Sequence, residues 1–117
     1  MMRRVIEIRI DEEPKVVDFV GEFSEISDFV GGMVQSVPLD FGDISIDLVL
    51  NEEGKLIRLP RNFVLYYSYA DVMDLVVGNA LIFGVDHSTG DWVGLSDDEI
   101  RAFFDNYNSE TGVLVVG

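Results

Sequence analysis

From Ile44 to Leu50 the chain alternates: Ile44, Ile46, Leu48 and Leu50 are apolar, with Ser45, Asp47 and Val49 between them. A two-residue repeat sends successive side chains to opposite faces, so the segment reads as a strand with one face in a core. The same beat runs near the N-terminus, where Ile6, Ile8 and Ile10 alternate with Glu7 and Arg9 until Asp11-Glu12-Glu13-Pro14 supplies a turn. Such strands do not stand alone, because each must bury its apolar face against another layer. The 117 residues have the material for that: 48% are hydrophobic, with 8 Phe, 4 Tyr and one Trp. One folded domain over residues 1–117 is therefore expected, without a second domain and without global disorder.

After Asn51-Glu52-Glu53-Gly54 the apolar residues resume in Lys55-Leu56-Ile57-Arg58-Leu59, which predicts a hairpin of 44–50 with 55–59 and a left-handed Gly54 in its turn. Residues 15–20 are predicted to return against the first strand. A helix is predicted over 22–30, with Phe23, Ile26, Phe29 and Val30 inward, Glu22, Glu25 and Asp28 outward, and Gly31-Gly32 as its stop. Met33 to Val37 reads as a strand ended by Pro38, Asn79 to Val85 as an apolar central strand, Trp92 to Leu95 as a short one, and Gly112 to Gly117 as the last. Phe63 to Tyr69 fits a strand or a helical turn equally well.

The sharpest local signal is Leu95-Ser96-Asp97-Asp98-Glu99-Ile100. Ser96 can accept from the backbone of Glu99, Glu99 can reach back to Ser96, and Leu95 with Ile100 closes a hydrophobic staple around the cap. The helix it opens should run to about Tyr107 with Ile100, Phe103, Phe104 and Tyr107 on its inner side. The sum is an α+β fold: a mixed, mostly antiparallel sheet of about five to seven strands with two helices packed on it, its first half ordered like a β-grasp.

Charge narrows the function. Against 22 Asp+Glu stand 8 Lys+Arg, a net charge of −14, which argues against direct binding to nucleic acid or anionic membranes, since both require cations to displace counterions. The absence of cysteine removes disulfide scaffolds, zinc ribbons and thiol nucleophiles. No apolar run approaches the roughly 20 residues of a spanning helix. Glu7 interrupts the first apolar stretch and no small-residue cleavage site follows, so no signal peptide and a cytoplasmic location are expected.

A chain of this size exposes about 6,400 Å², or roughly one carboxylate per 290 Å², against about one phosphate per 110 Å² on duplex DNA. Imitation of DNA therefore requires the acids to gather on one face. The candidates are Glu22, Glu25 and Asp28 on the first helix, the 40–47 loop, and the 86–99 region with Asp97, Asp98, Glu99 and Asp105 of the second helix. Two other readings of the charge stand beside this one: adaptation to high salt with no partner implied, and a self-repelling surface that keeps a small domain in solution.

Groups for chemistry are sparse. His87 is the one histidine and lies in a polar turn with Asp86, Ser88 and Asp91; neighbours so close in a tight turn do not present nucleophile, base and orienting group in line. Asp40, Asp43 and Asp47, or Asp11, Glu12 and Glu13, offer oxygen atoms to a hard cation, yet neither set has the spacing of a calcium loop. No glycine-rich loop with a lysine cradles a phosphate. No catalytic, metal or cofactor residue is assigned, and no enzyme is expected. A small-molecule or nucleotide-binding module is the alternative, with Tyr66, Tyr67, Tyr69 and Trp92 lining a pocket and Arg58 with Arg61 clamping an anion.

Several segments in order resemble the domain of unknown function 3846 family, small proteins of phages, plasmids and other mobile elements. The resemblance is carried by Phe29-Val30-Gly31-Gly32 leading to Val37-Pro38-Leu39, by Leu50-Asn51-Glu52-Glu53-Gly54-Lys55-Leu56 leading to Leu59-Pro60 and Asn62, by Asp74 with Val77-Gly78-Asn79-Ala80-Leu81-Ile82-Phe83-Gly84, and by Leu95 to Ile100. The chain departs from the family pattern at Arg58, where a small residue is usual, at Arg61, near which a second proline is usual, and over Tyr66 to Tyr69. The resemblance implies a genetic setting and no chemistry. With the acidic charge it leads to an expectation: an accessory protein of a phage or mobile element that binds and blocks a host protein, such as a nucleic-acid-binding defence factor, through Glu22, Glu25, Asp28, Asp97, Asp98 and Asp105.

Overall fold

The structure is a computed structural model and describes residues 2–117. Its elements are β1 (Met2–Ile8), β2 (Lys15–Val20), α1 (Phe23–Val30), β3 (Val34–Phe41), β4 (Ile44–Asn51), β5 (Arg61–Tyr67), β6 (Val72–Val77), β7 (Ala80–Val85), β8 (Trp92–Val93), α2 (Asp97–Asp105), β9 (Tyr107–Asn108) and β10 (Val113–Val116). The fold is α+β, and its strands divide between two sheets rather than forming one. Sheet A has the order β2-β1-β7-β4-β3, with β8 also paired to β7; sheet B has the order β6-β5-β10-β9. All pairings are antiparallel except β5 with β10.

Sheet A is covered on both sides. Ile6, Ile8, Ile46, Leu48, Ala80 and Ile82 share one core with Phe63, Leu65, Val76, Leu114 and Val116 of sheet B and Phe103 of α2. Val5, Val49, Leu81 and Phe83, the alternate residues of the same strands, share a second core with Ile26 and Val30 of α1. The layers therefore run α1, sheet A, then sheet B with α2 beside it. A strand buried on both faces loses its polar alternation, which is why Ala80 to Phe83 reads as one apolar run. The first hairpin and helix stand as expected, the second hairpin is β3 with β4, and the strand that joins the two hairpins, β7, runs antiparallel to both neighbours.

Several expectations are corrected. Residues 52–58 form successive turns, and β4 takes its partners from β3 and β7, so the hairpin of 44–50 with 55–59 does not exist. Gly54 is not left-handed; a Cβ there would come 2.8 Å from Val77 Cγ2. The positive φ of this segment, 57°, belongs to Arg58, in a region that glycine, asparagine or aspartate enters more readily than arginine. The strand expected to end before Pro38 continues to Phe41 through it, which β3 tolerates as an edge strand. Arg61–Tyr67 is a strand, as is Val72–Val77, which the sequence reading passed over. Phe23 is 62% exposed.

Both helices begin with a capping box. At α2, Ser96 Oγ accepts from the Glu99 amide at 3.2 Å and Glu99 Oε1 accepts from the Ser96 amide at 2.8 Å, with Leu95 buried beside them. At α1 a glutamate, Glu22, stands at the N-cap and shares its box with Glu25; Gly31 closes the helix at φ 85°, its amide donating to Ser27 O. α2 stops at Asp105, two residues before Tyr107, which lies in β9 and stacks on Phe103 with 5.6 Å between ring centroids. Phe104 points out, 39% exposed, while Phe103 is at 0%. Phe103→Ala is expected to cost about 3–5 kcal/mol in chemical denaturation, and Phe104→Ala less than about 1 kcal/mol; equal losses would contradict this placement of α2.

Candidate functional site

The acids named from the sequence do not converge. Glu22, Glu25 and Asp28 lie on α1, on one side of sheet A, whereas Asp97, Asp98 and Asp105 lie on α2, whose Phe103 packs into the core on the other side. The two sets also differ in their neighbours. Arg4 pairs with Asp97 at 2.6 Å and Arg101 with Asp98 at 3.1 Å, so two of the four α2 carboxylates face a cation. These are exposed pairs, worth roughly 0–1 kcal/mol each, but they lower the local field.

On the α1 side the arginines are engaged by groups of the fold, while the Arg9 and Lys15 side chains keep 43% and 53% of their surface exposed. Arg3 donates to Gly21 O at 2.9 Å and to Trp92 O at 3.3 Å while its guanidinium lies 5.0 Å from the centre of the Phe83 ring. Arg9 donates to Glu7 Oε1 at 2.6 Å and covers the Phe29 ring at 4.8 Å. Glu7, only 8% exposed, also has Lys15 at 3.8 Å. Arg3 thus serves two backbone carbonyls and an aromatic face, and Arg9 a buried carboxylate and an aromatic face, uses that suit the flat guanidinium. Among the described residues no Lys or Arg forms an ion pair with Glu25 or Asp28.

The acid side chains of α1 are held by the helix itself. The Ser24 hydroxyl donates to Glu25 Oε2 at 2.5 Å, and that oxygen also accepts from the Glu22 amide at 3.3 Å. The Ser24 hydrogen bond first, then the backbone amides, hold the Glu25 carboxyl below its usual value of 4.5. Next to the start of α1 a cleft of about 380 Å³ is lined by Arg3, Glu22, Phe23, Ile26, Asp91, Trp92 and Val93. Asp91 thereby adds a carboxylate beside Glu22, and Phe23 and Val93 add apolar surface.

The alternative ligand site is dispersed. Trp92 stacks on Phe83 at 5.5 Å and donates from Nε1 to Asp47 Oδ2 at 2.9 Å, so it belongs to the core under α1. Tyr67 packs against the core between the sheets, on the opposite side of sheet A. Arg61 opens β5 and Tyr67 ends it, about 20 Å apart at the rise of a strand. Arg58 stands exposed in the turns after β4. Tyr66 donates to Asp71 Oδ1 at 2.6 Å, and that bond raises its pKa above 10.0. Tyr67 and Tyr69 line one cleft of about 330 Å³, their ring centroids 6.1 Å apart, but Trp92, Arg58 and Arg61 do not line it.

His87 is exposed in its turn, where Asp86 accepts from the Ser88 hydroxyl at 2.6 Å and the Ser88 amide at 3.0 Å, an Asx turn that holds the loop. Among the described residues no three His, Asp or Glu side chains are placed to hold a metal ion. No helix is long and apolar enough to cross a membrane.

The fold and its surfaces define a small three-layer α+β domain with a carboxylate-bearing helix on one outer layer. Over residues 2–108 the chain matches the family described as Domain of unknown function (DUF3846), and it belongs to that family. No curated protein and no solved structure matches it.

Because the folded pKa of Glu25 is lowered, its contribution to stability is present above pH 4.5 and is lost as pH falls through the lower folded value. Ser24→Ala removes the largest cause. The Glu25 side-chain titration, followed by NMR, is then expected to move up toward the ordinary value; an unmoved midpoint would contradict the role given to the Ser24 hydroxyl.

Proposed function

We propose that this chain is a non-enzymatic binding protein whose α1 layer occupies the basic, nucleic-acid-handling surface of a partner protein. The observation that carries this reading is the asymmetry of the α1 side: its carboxylates face solvent, while Arg3 and Arg9 are spent on Gly21, Trp92, Phe83, Glu7 and Phe29. Averaged over the whole surface the acids are too dilute to imitate a phosphate backbone. Along α1 they recur every three residues, a rise of about 4.5 Å, and Asp91 lines the same cleft as the first of them. Clustered like charges of this kind speed the approach of an oppositely charged partner and favour it over neutral ones. The mobile-element setting that the family resemblance implies makes a cytoplasmic host defence factor the partner class.

The test is affinity capture from host lysate at physiological salt, with duplex DNA as competitor. Glu22→Gln, Glu25→Gln and Asp28→Asn together remove three charges and keep acceptor oxygens for the cap. The triple variant is expected to lose at least about tenfold in capture of the partner, equivalent to about 1.4 kcal/mol. Asp97→Asn with Asp98→Asn and Asp105→Asn is expected to bind within about threefold of the parent, and added DNA is expected to displace the partner. Capture untouched by the α1 substitutions, or a partner that holds DNA and this chain at once, would count against the proposal.

A further inference from the structure

Sheet B has one face in the core and a second face whose side chains are half-buried or exposed. Phe63, Leu65, Val76, Leu114 and Val116 point into the core. The alternate residues are set by the register: Val64 lies opposite Leu75 and Val113, and Tyr66 lies opposite Met73 and Val115. These six side chains come from three adjacent strands, none is charged, and none belongs to either core cluster. Met73 is 67% exposed and Val115 37%. Open sheets usually present polar side chains on their solvent face, and a contiguous apolar patch on a protein with a net charge of −14 marks a contact surface.

We propose that this face is covered by a second copy of the chain. Two observations select that occupant, and neither depends on the partner of α1. The first is the layer order: sheet A lies between α1 and sheet B, so packing sheet B on sheet B leaves both α1 layers on the outside of the pair. The α1 acids of the two copies then lie on opposite outer sides of the pair and do not oppose the contact, and of the α2 carboxylates on the sheet B side Asp97 and Asp98 are answered by Arg4 and Arg101. The second is a self-complementary pair of charges. Arg61 opens β5, is exposed, and has no ion pair among the described residues. Asp71, held by the Tyr66 hydroxyl, lies just past the other end of β5. A two-fold axis through the face that runs the two β5 strands antiparallel sets Arg61 of each copy toward Asp71 of the other, the isologous arrangement of a closed dimer.

Six side chains on three strands fall short of the roughly 800 Å² per partner of a standard interface. The pair is accordingly weak and exchanges with monomer on dilution. Sedimentation equilibrium of the full chain from about 10 µM to about 1 mM is expected to show the mass rising from one copy toward two. Met73→Glu with Val115→Glu, both at exposed positions, should keep the protein monomeric throughout with an unchanged circular dichroism spectrum. Arg61→Glu should weaken association about tenfold, and adding Asp71→Lys to it should bring association back to within about threefold of the parent. A parent chain that stays monomeric over the whole range overturns the proposal, as does a double-glutamate variant that still pairs, or a charge exchange that fails to restore what the single reversal lost.

Discussion

The fold depends on β7 being buried on both sides. Leu81 and Phe83 go to α1, and Ala80 and Ile82 go to sheet B, all four at 0% exposure. A strand of that kind has no solvent face to give, so the hairpins β1-β2 and β3-β4 must flank it and two further layers must cover it. Burying a side chain the size of Leu or Phe contributes about 1.5–3 kcal/mol, and the two cores divide that gain between them. Trp92 and Arg3 then extend the α1-side core at its edge by stacking on Phe83 from β8 and from β1.

From this layering follows the separation of surfaces. α1 takes the outside of one layer and carries acids there, with its local arginines engaged by carbonyls, Glu7 and aromatic rings. Sheet B takes the outside of the opposite layer and shows uncharged side chains. α2 fills the rest of that side through Phe103, and its carboxylates are partly answered by Arg4 and Arg101. The acids are spread over both sides of the molecule, and the layers set those of α1 on one outer face and the uncharged side chains of sheet B on the other.

Much of this was legible in the residues. The period-two stretches at Ile6 to Ile10 and Ile44 to Leu50 are strands, the apolar run at 80–85 is the central one, and Ser96 with Glu99 caps a helix. What failed did so for identifiable reasons. Lys55 to Leu59 has strand-like composition, but β4 already has a neighbour on each side, so no place remains for a hairpin partner. Phe104 belongs to the same stripe as Phe103 by spacing alone, and which of the two rings goes inward is set by the packing of α2 on the sheets, which buries Phe103 and leaves Phe104 39% exposed. Sheet B rests on the parallel pairing of β5 with β10, in which Val64 meets Val113, and local pattern does not report so distant a contact. At the surface, the excess of acids was plain, while their separation by sheet A, and the inward use of Arg3 and Arg9, are visible only in the fold.

The separation of a charged face from an uncharged one can be read directly by NMR, from paramagnetic relaxation of the backbone amides with a cationic and an anionic soluble spin label used in turn. The ratio of the two effects at each amide reports the local potential. Amides of Ser24 to Asp28 should be relaxed far more strongly by the cationic label, and those of Val64, Tyr66, Met73 and Val115 should show the weakest preference of any exposed strand. A preference of the same size over α1 and over sheet B would contradict the account.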